Sequence, residues 1–561
     1  MRRIWLLLLA LLLLSGCAQL KEVIPQAEEP VNDPLRLYPT PTPWPTTLST
    51  AERIRERGTM IVGIRYDLEP LSFIDADGRP AGLEVDLAHE LARRWLGDAN
   101  AVEFRQVRSD TALQHLQQGD VDFVLAGIVH TQEAEGDADF GPTYFLDGQA
   151  ILTFPELNIT TADELEGKRV GVVDGSGALE ALQAATTVSM TVEHFDGYFE
   201  AVEALQTRQI DAYADLRHRL ERARREVPGT IIVGQSTFLP VTPLFAENDP
   251  FFANLLTLTF QDMARDGTRD QLYARWLPNT APPAAPPWPG EIAAPALDET
   301  PRERSHGGLL EGARQRGVLE VGYLPQHWPY SADRGDGVQT GFEVHLIEKV
   351  AERWFGSRQA VTFVPVTEED ALTRLQQGEI DLLLGGWVHT REGELQYDYS
   401  LTTFDDGVSL LSRATDPVPT LEALEGRPVG VIAGSAGEMA LPTLSRQLGT
   451  ALNAATYPDL NTAVEALQRG DVVALLAERW LLLDPFYHVG GFSLSDARFT
   501  RRPIAFVVPQ GNSDFLDLLN LTLAALRADG TYDTVYRLWF DDPIPPADPW
   551  PGAPIIPLSL R

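Results

Sequence analysis

Short apolar runs alternate with amphipathic segments along most of the chain. Residues 60–64 are apolar apart from one glycine, which predicts a buried strand. Between residues 84 and 95 apolar positions recur every three or four residues, and this spacing predicts an amphipathic helix. Two more strands are predicted at 123–126 and 170–173, and another helix at 199–207. Such alternation is typical of an α/β fold with largely parallel sheets.

The same pattern occurs a second time further along the chain. Four segments recur with closely similar letters, three of them 259 residues later and the fourth 262 residues later, which indicates a three-residue insertion in the second copy. The paired segments are 116–122 with 375–381, 82–85 with 341–344, 171–172 with 430–431, and 201–206 with 463–468. A period this long indicates duplication of a whole domain rather than a solenoid repeat.

Proline-rich stretches lie before, between and after the two copies. Such segments favour extended conformations and act as spacers. The predicted organisation is a leader at 1–17, a tether at 18–50, a first domain at 51–278, a linker at 279–304, a second domain at 305–541 and a tail at 542–561.

Length and charge narrow the class of protein. The 561 residues exceed what one hydrophobic core supports, and a hydrophobic content of 44% is that of a globular chain. Forty-five basic and 80 acidic residues give a formal net charge of −35, which repels phosphate groups. Nucleic acid is therefore not an expected partner.

The one cysteine follows an apolar N-terminal run. Arg2 and Arg3 precede the apolar residues 4–14, and the segment 14–17 reads LSGC. This arrangement resembles a bacterial lipobox, which implies cleavage before Cys17 and lipidation of its sulfur, so that the chain is anchored outside the cytoplasm. A chance cysteine after an uncleaved signal is the alternative. A single cysteine excludes an internal disulfide and a cysteine-based metal or catalytic site.

Several short motifs occur in the same order in both copies. They are GLEVDL at 82–87, DFGPTY at 139–144 and YARWL at 273–277 in the first copy, with GFEV at 341–344 and YRLWF at 536–540 in the second. With these motifs each copy resembles the bacterial extracellular solute-binding proteins of the polar amino acid type, the family 3 receptors of ABC importers. The resemblance implies a tandem pair of periplasmic-binding-protein-like (type II) domains, each with two α/β lobes, a hinge and a central cleft.

The resemblance also implies positions for ligand contacts. An early aromatic residue stacks on the ligand in this family, and Leu68 and His327 occupy that place here. The nearby Tyr66, Phe73 and Tyr330 could supply aromatic faces to the cleft or belong to the core.

Both copies depart from the family at the residues that bind the ligand's carboxylate. In the family these are a threonine or serine and, five residues later, an arginine. Val129 and Val388 stand at the hydroxyl position, and Ala134 and Gly393 at the arginine position. An ordinary α-amino acid is therefore doubtful as a ligand, because its carboxylate would be left unpaired. Arg391 is a candidate substitute in the second copy, or else a solvated arginine at a helix start.

The neighbouring segments supply further candidates. Gly127 is one, and Trp387, where the first copy has Ile128, would make the two clefts chemically different. Thr131 and Thr390 follow a histidine in each copy and are candidates for ligand contact or for helix capping. The histidines themselves are interpreted as structural residues.

Four polar residues complete the predicted site. Ser176 and Ser435 lie in glycine-containing turns between a strand and a helix, where backbone N–H groups form an anion-binding nest or a plain capped turn. The family places an aspartate after a later strand to meet the ligand's amino group. Glu478 occupies that position in the second copy, whereas Asp215 lies one residue early in the first and Leu216 takes its place.

The expected function is that of a lipid-anchored receptor that captures a small polar solute, amino-acid-like or an amine or carboxylate compound, and delivers it to an ABC permease and ATPase. No cofactor or metal is expected. A tethered sensor or scaffold with altered ligand binding is the first alternative. An enzyme is the second, although the zinc and serine-nucleophile motifs are missing and helix-dipole effects explain Glu84 and Glu343.

Overall fold

The structure, a computed structural model, describes residues 48–130, 137–278, 280–283, 308–335, 337–424, 426–449, 451–484, 486 and 489–540. Cys17, the leader, nearly all of the tether, and the tail lie outside the described residues, as do Thr131 and Ala134. Residues 48–283 form domain 1 and residues 308–540 form domain 2, two successive copies of one arrangement of helices and strands.

Domain 1 contains eight helices and 15 strands among its described residues. The helices are α1 Thr50–Arg57, α2 Leu83–Leu96, α3 Ala112–Gln117, α4 Ala178–Ala185, α5 Tyr198–Gln206, α6 Arg217–Glu226, α7 Pro250–Arg265 and α8 Thr268–Trp276. The strands are β1 Met60–Ile64, β2 Asp67–Leu68, β3 Ser72–Ile74, β4 Pro80–Ala81, β5 Val102–Gln106, β6 Phe123–Val124, β7 Asp139–Phe140, β8 Phe145–Asp147, β9 Gln149–Thr153, β10 Arg169–Val173, β11 Thr191–Phe195, β12 Ala212–Leu216, β13 Ile231–Val233, β14 Leu239–Val241 and β15 Leu244–Phe245.

Domain 2 repeats this order. Its helices are α9 Leu309–Arg316, α10 Phe342–Phe355, α11 Ala371–Gln376, α12 Arg391–Glu394, α13 Ala436–Leu448, α14 Leu460–Arg469, α15 Arg479–Asp484, α16 Ser513–Ala528 and α17 Thr531–Trp539. Its strands are β16 Leu319–Tyr323, β17 Gln326–His327, β18 Ser331–Asp333, β19 Gln339–Thr340, β20 Val361–Pro365, β21 Leu382–Leu384, β22 Tyr397–Tyr399, β23 Phe404–Asp405, β24 Val408–Arg413, β25 Val429–Ile432, β26 Ala454–Tyr457, β27 Ala474–Glu478, β28 Phe492–Leu494, β29 Pro503–Ile504 and β30 Val507–Pro509.

Each domain consists of two lobes, and each lobe is built on a five-stranded sheet. The A lobes have the strand orders β5-β1-β6-β15-β7 and β20-β16-β21-β30-β22, and the B lobes have β11-β10-β12-β9-β13 and β26-β25-β27-β24-β28. In every sheet the second strand in this order pairs in parallel with both neighbours. The predicted α/β fold of two lobes in each of two tandem domains is confirmed.

The chain passes between the lobes of each domain along two paired strands. These hinge strands are β8 with β14 in domain 1 and β23 with β29 in domain 2. Leu239 lies opposite Asp147 in the first pair, and Pro503 lies opposite Asp405 in the second. Because only two strands connect the lobes, each domain has a narrow hinge at the base of its cleft.

The elements form where the hydrophobic pattern predicts them. All five residues of β1 are buried, as expected for a parallel strand with helices on both faces. Helix α2 extends the predicted 84–95 by one residue at each end, buries its apolar face and ends at Gly97, whose φ of 75° suits glycine. The strand predicted at 123–126 is shorter, because only Phe123 and Val124 belong to β6.

Each lobe has its own hydrophobic core. In the A lobes, helices α2 and α10 pack with the C-terminal helices of their domains over β1 and β16. In the B lobes, two smaller clusters line the two faces of each sheet. Among the helices that the structure describes, none combines the length and the apolar character needed to cross a bilayer.

Candidate functional site

The cleft of domain 2 is marked by aromatic side chains that meet from both lobes. His327 and Tyr330 lie in the A lobe, and Trp480 is the second residue of α15 in the B lobe. The Trp480 ring centroid lies 6.5 Å from that of His327 and 6.3 Å from that of Tyr330. The loop after β21 lies beside them, since a Cβ added at Gly386 would meet the Tyr330 ring and His327 Nδ1.

A buried glutamate holds this loop in place. Glu343, in the first turn of α10, accepts hydrogen bonds from the backbone N–H groups of Gly385 at 2.7 Å and Gly386 at 2.8 Å. The Thr403 hydroxyl donates to its other carboxylate oxygen at 2.6 Å. Burial raises the pKa of Glu343, and these hydrogen bonds partly offset the rise. The carboxylate therefore shapes the wall of the cleft, a role that the helix dipole alone did not suggest.

Glu84 has the same role in domain 1. It accepts hydrogen bonds from the backbone N–H of Gly127 at 2.7 Å and from the hydroxyls of Ser72 and Tyr144. Burial raises the pKa of this carboxyl group as well. The framework around the two clefts is thus shared, even though the side chains that face the clefts differ.

Glu478 lies at the end of β27 and is the strongest candidate for a ligand-binding residue in domain 2. Its side chain is 7% exposed, and its Oε1 accepts a hydrogen bond from the backbone N–H of Ala436 at 2.8 Å. Its Oε2 has no hydrogen-bond partner among the residues that the structure describes. A buried carboxylate oxygen without a partner is costly, so it is a natural acceptor for a cationic or N–H group of a ligand.

Two donors of the A lobe also lack a partner within the described part of the chain, the hydroxyl of Tyr330 and the indole N–H of Trp387, whose ring packs against the A-lobe cluster around Leu375. Tyr330 is 1% exposed, and it lies close enough to Asp406 and Glu478 to interact electrostatically with both carboxylates. Burial, followed by the charge of Asp406, raises the pKa of Tyr330 well above its ordinary value. The hydroxyl therefore stays protonated and can donate to a ligand.

The hinge contributes a cation to the domain 2 cleft. Arg502 precedes β29, and its Nη1 lies 3.3 Å from Asp406 Oδ2 and 3.7 Å from Glu478 Oε1. Burial raises the pKa of Asp406 to about 7, and Arg502 partly offsets this rise. Arg502 was not singled out in the sequence. Comparison of the two copies position by position could have found it, because its counterpart is a leucine.

Domain 1 carries aliphatic residues at five of these cleft positions, whereas His218 stands at the position of Trp480 and Asp147 at that of Asp406. Counterparts follow from the repeat separation and, at the hinge, from the pairing of Leu239 with Asp147. The pairs are Leu68 with His327, Leu71 with Tyr330, Ile128 with Trp387, Leu216 with Glu478 and Leu239 with Arg502. Among the described residues, the cleft of domain 1 therefore has no polar counterpart of Tyr330, Trp387, Glu478 or Arg502.

Asp215 does not replace the missing acid in domain 1. It is fully buried within the B lobe, where it accepts hydrogen bonds from the Tyr213 hydroxyl, from the Leu216 backbone N–H at 2.8 Å and from Arg219 at 3.4 Å. Its carboxylate is already satisfied, so it is a structural residue of the B lobe.

The remaining predicted residues of domain 1 lie in or near the A-lobe core. Leu68 and the partly buried Tyr66 pack in that core. A Cβ at Gly127 would meet the Leu68 side chain, so Leu68 covers the glycine loop. Phe73 meets Trp276 edge to face, with ring centroids 6.0 Å apart. The structure brings none of these aromatic rings together with an unpaired polar group.

The two predicted serines lie in the turns that open helices α4 and α13. The Ser435 hydroxyl accepts from the backbone N–H of Glu438 at 3.2 Å and caps α13. The Ser176 hydroxyl accepts from the backbone N–H of Ala178 at 3.3 Å. In domain 2 the turn also donates the Ala436 N–H to Glu478, so the turn orients the acid.

The histidines of the recurring Val-His-Thr segments are buried and stacked. His130 stacks on Phe140 at 4.2 Å, and His389 stacks on Tyr399 at 4.5 Å. Thr390 caps α12 by accepting from the Gly393 N–H at 3.0 Å, which confirms the predicted capping role. Val129 and Val388 form bridges with β14 and β29, respectively, at the hinge.

Arg391 does not reach the cleft. Its side chain is fully buried, and its guanidinium donates to Gln261 and, at 2.9 Å, to Asp262 Oδ1, both on helix α7 of domain 1. The arginine that the sequence offered for a ligand carboxylate is therefore engaged between the domains. The signal for this contact is absent from local sequence, because the partners lie 129 and 130 residues earlier.

Within the described residues, no group of three or more histidine, cysteine, aspartate or glutamate side chains is arranged to hold a metal ion. The chemistry available in the domain 2 cleft is that of hydrogen bonding, charge pairing and aromatic packing. These are the groups with which a protein holds a small polar molecule.

Comparison with known proteins agrees with this geometry. The chain belongs to the bacterial extracellular solute-binding proteins, family 3, whose family model matches residues 60–279 and 319–542. The predicted tandem duplication of this family is confirmed.

Individual relatives cover one domain at a time. The chain is similar to the glutamine-binding protein of Geobacillus stearothermophilus, with 32% identity over 166 residues that span 29% of this chain and 63% of the relative, less than two thirds of its length. It is also similar to the L-cystine-binding protein TcyJ of Escherichia coli strain K12, with 28% identity over 236 residues, 42% of this chain and 86% of the relative. Among solved structures, an ancestral cationic amino acid solute-binding protein matches with 27% identity and a TM-score of 0.35, over 42% of this chain and all of that chain.

Proposed function

We propose that this chain is a lipid-anchored extracytoplasmic receptor in which domain 2 captures a small polar solute that bears an amine and delivers it to an ABC importer. The observation that carries the proposal is the buried Oε2 of Glu478, which lacks a partner among the described residues at the end of β27. An ammonium group would satisfy this oxygen with a charge-assisted hydrogen bond.

The other groups of the cleft fit the same class of solute. The free donors of Tyr330 and Trp387 suit carbonyl or carboxylate oxygens, and Arg502 supplies a cation in place of the missing family arginine. The Trp480 and His327 rings offer faces against which the rest of the solute can pack. A solute with both an amine and an acceptor group, of the amino-acid-like kind, uses every one of these features.

The relatives support a binding role, because they are named as glutamine-binding and L-cystine-binding proteins. The lipobox-like segment that ends at Cys17 supports the anchor. Delivery to an ABC importer follows the class to which the family resemblance points. Each of these parts of the proposal is open to direct test.

A supporting role for domain 1 is the second part of the proposal. Its cleft is aliphatic, and its lobes are tied by ion pairs between Glu69 of the A lobe and α6 of the B lobe, at 3.6 Å from Arg222 and 3.5 Å from Arg225. These contacts hold the lobes together without a ligand. Domain 1 therefore serves as a spacer or scaffold for domain 2, which retains part of the sensor-or-scaffold alternative.

The test is thermal unfolding of the full chain, with Cys17→Ser to prevent lipidation, in the presence of single solutes. The panel contains glutamine, cystine, arginine, putrescine, succinate and glucose. A solute at about 100 times its dissociation constant adds about 2.7 kcal/mol to the stability of the domain that binds it. We expect an amine-bearing member to raise the midpoint of one transition.

Glu478→Gln keeps the shape of the side chain and removes its charge. We expect this variant to bind the amine about 10-fold more weakly, since a charge-assisted hydrogen bond is replaced by a neutral one of about half its strength. The matched control is Glu438→Gln, an exposed carboxylate one turn into α13, which should respond as the parent does. An undiminished response in Glu478→Gln, or a response to succinate alone, contradicts the proposal.

A further inference from the structure

The two domains contact each other through their A lobes. One contact is made by the buried side chain of Arg391 in α12. Its guanidinium donates hydrogen bonds to Gln261 and Asp262 near the end of α7. A guanidinium is almost never fully buried unless it is paired, and this one finds its partners on the other domain. The contact accounts for the presence of an arginine where the family resemblance does not expect one.

A second contact joins the starts of helices α7 and α16. The backbone N–H of Ser513 donates to Asn248 Oδ1 at 3.0 Å, and the backbone N–H of Asn248 donates to Ser513 Oγ at 3.3 Å. The Ser513 hydroxyl also lies 2.8 Å from Glu247 Oε1. Helices α7 and α16 are the same element in the two copies, and the contact is reciprocal in that each side donates one backbone N–H to a side chain of the other.

A third contact lies beside the edge strands of the two A-lobe sheets. Asn254 of α7 donates to the backbone carbonyl of Glu394, the last residue of α12, which lies shortly before β22. Strands β7 and β22 are the edges of their sheets on this side, and their carboxylates Asp139 and Asp398 lie close enough to repel each other. Docking here covers two edges that would otherwise offer unpaired backbone groups.

The polar side chains at these contacts are buried. Glu247, Asn254 and Gln261 are polar residues of domain 1, and all three are buried in the two-domain chain. Buried polar groups are kept where hydrogen bonds satisfy them, and here several of those bonds cross between the domains. All the crossing groups belong to A lobes.

We propose that the two domains are permanently docked through their A lobes, like a homodimer fused into one chain, with Arg391 as the anchor. In this arrangement only the B lobes move when a cleft closes. The loop that follows Val388 serves docking instead of gripping a ligand carboxylate. The partner that fits the A-lobe surface of domain 2 is thus a second copy of the same fold.

Cross-linking within the full chain tests the docking without any ligand. In the Cys17→Ser background the chain has no cysteine, so Asn248→Cys combined with Ser513→Cys places the only two thiols at the reciprocal contact. We expect a short bifunctional thiol reagent to join them rapidly at low protein concentration, as seen by thiol titration and by the mobility of the denatured chain.

The control pair is Asn100→Cys with Gln359→Cys. These exposed residues precede β5 and β20, the sheet edges opposite to β7 and β22, so docking keeps them apart. We expect the control pair to react with the reagent without being joined. Free thiols at the 248 and 513 pair, or equal joining of both pairs, would overturn the docking.

The role of Arg391 is tested in the same cross-linking background. We expect Arg391→Met to slow the joining of residues 248 and 513 at least tenfold, whereas Asp266→Asn, which removes an ion pair with Arg94 inside domain 1, leaves it unchanged. Should Arg391→Met fail to fold, Gln261→Ala with Asp262→Asn removes the same contact from the side of domain 1. An unchanged rate in the folded variants would overturn the assignment of Arg391 as the anchor.

Discussion

The clefts of the two domains share a framework and differ in the side chains that face the solute. In both domains a buried glutamate at the start of a long helix, Glu84 or Glu343, holds the glycine loop of the A lobe. In domain 2 the cleft then collects an acid, a cation, a phenol and an indole, whereas domain 1 has only aliphatic residues at the matching positions. The two copies share one fold while only domain 2 carries these polar side chains, which is possible because a fold does not fix the chemistry of its site.

The same comparison extends to the contacts between lobes. Domain 1 ties its lobes with Glu69, which meets Arg222 and Arg225, and Arg225 also donates to the Trp276 carbonyl. In domain 2 the position of Glu69 holds the exposed Trp328. Partly exposed ion pairs contribute only about 0–1 kcal/mol each, yet they favour closure of domain 1 in the absence of a solute. Domain 2 has no counterpart of this glutamate, so ion pairs of this kind do not favour closure of its lobes. Binding of the solute can then provide the free energy for closure.

The largest difference in stability between matching substitutions in the two domains is expected at the glycine beside each cleft, Gly127 in domain 1 and Gly386 in domain 2. Gly386 has a φ of +80°, and a Cβ there would lie 2.4 Å from the Tyr330 ring, whereas at Gly127, with a φ of +65°, it would meet only the end of the Leu68 side chain. We expect Gly386→Ala to cost about 3 kcal/mol or more and Gly127→Ala about 1–2 kcal/mol, since a buried ring cannot move aside as a leucine can. Urea unfolding of the full chain measures both, and equal losses would show that the clefts are packed alike.

The hinge aspartates are expected to respond to pH in opposite directions. Burial raises the pKa of Asp406 to about 7, whereas the pKa of Asp147 is lowered because the charge of His218 and its hydrogen bond outweigh burial. Asp406 therefore contributes stability that is fully present below the unfolded-state pKa of about 4 and is lost as pH rises through 7. Asp147 contributes stability that is present above about 4 and is lost as pH falls through its lowered pKa.

Substitution separates the two contributions. We expect Asp406→Asn to remove about 2–3 kcal/mol of the decline in stability between about pH 5 and pH 8, because the amide does not titrate. Asp147→Asn should leave that decline in place, since its titration lies at lower pH. Chemical unfolding across this pH range checks both variants against the parent, and a decline that Asp406→Asn does not reduce would place the titrating group elsewhere.

A smaller difference in stability is expected between removing a tyrosine hydroxyl that has a hydrogen-bond partner and removing one that has none. Tyr144 donates to Glu84 in domain 1, so Tyr144→Phe should cost about 1–2 kcal/mol by leaving a buried carboxylate short of a donor. The Tyr330 hydroxyl has no partner among the described residues, so Tyr330→Phe should change stability by less than about 0.5 kcal/mol. The same variant should weaken solute binding by about 5–20-fold, as loss of one neutral hydrogen bond predicts.

Unfolding and titration of the same samples keep the two effects apart. A large loss of stability in Tyr330→Phe would show that its hydroxyl supports the fold. Unchanged solute affinity would instead remove it from the site.

Much of the fold and part of the site follow from the chain alone. The repeat, the α/β class and helix α2 were predicted because hydrophobic periodicity and copy-to-copy identity are local signals. Glu478 was predicted through the family resemblance. The structure then placed it at the end of β27 with a free oxygen, and whether it binds a solute stays a prediction.

Other features could not be predicted because their partners are distant in sequence. Glu343 meets Thr403, which lies 60 residues later, and Arg502 meets Asp406, which lies 96 residues earlier. The surroundings of Asp215 and Asp406 could not be predicted either. Asp215 is hydrogen-bonded inside its own lobe, whereas Asp406 lies beside an arginine at the hinge. Hydrogen bonding at a buried acid depends on which elements the fold brings near it.

The sequence by itself determined that this protein is a duplicated pair of α/β domains, because periodic apolar residues specify the elements and the repeat specifies the copies, while the two lobes of each domain were implied by the family resemblance. Tertiary structure alone decided which polar groups converge in a cleft and which are satisfied elsewhere. It directed Arg391 to domain 1 and left Oε2 of the buried Glu478 without a hydrogen-bond partner among the described residues of domain 2. The physical reason is that burial and pairing are properties of neighbours in space, and neighbours in space are set by packing.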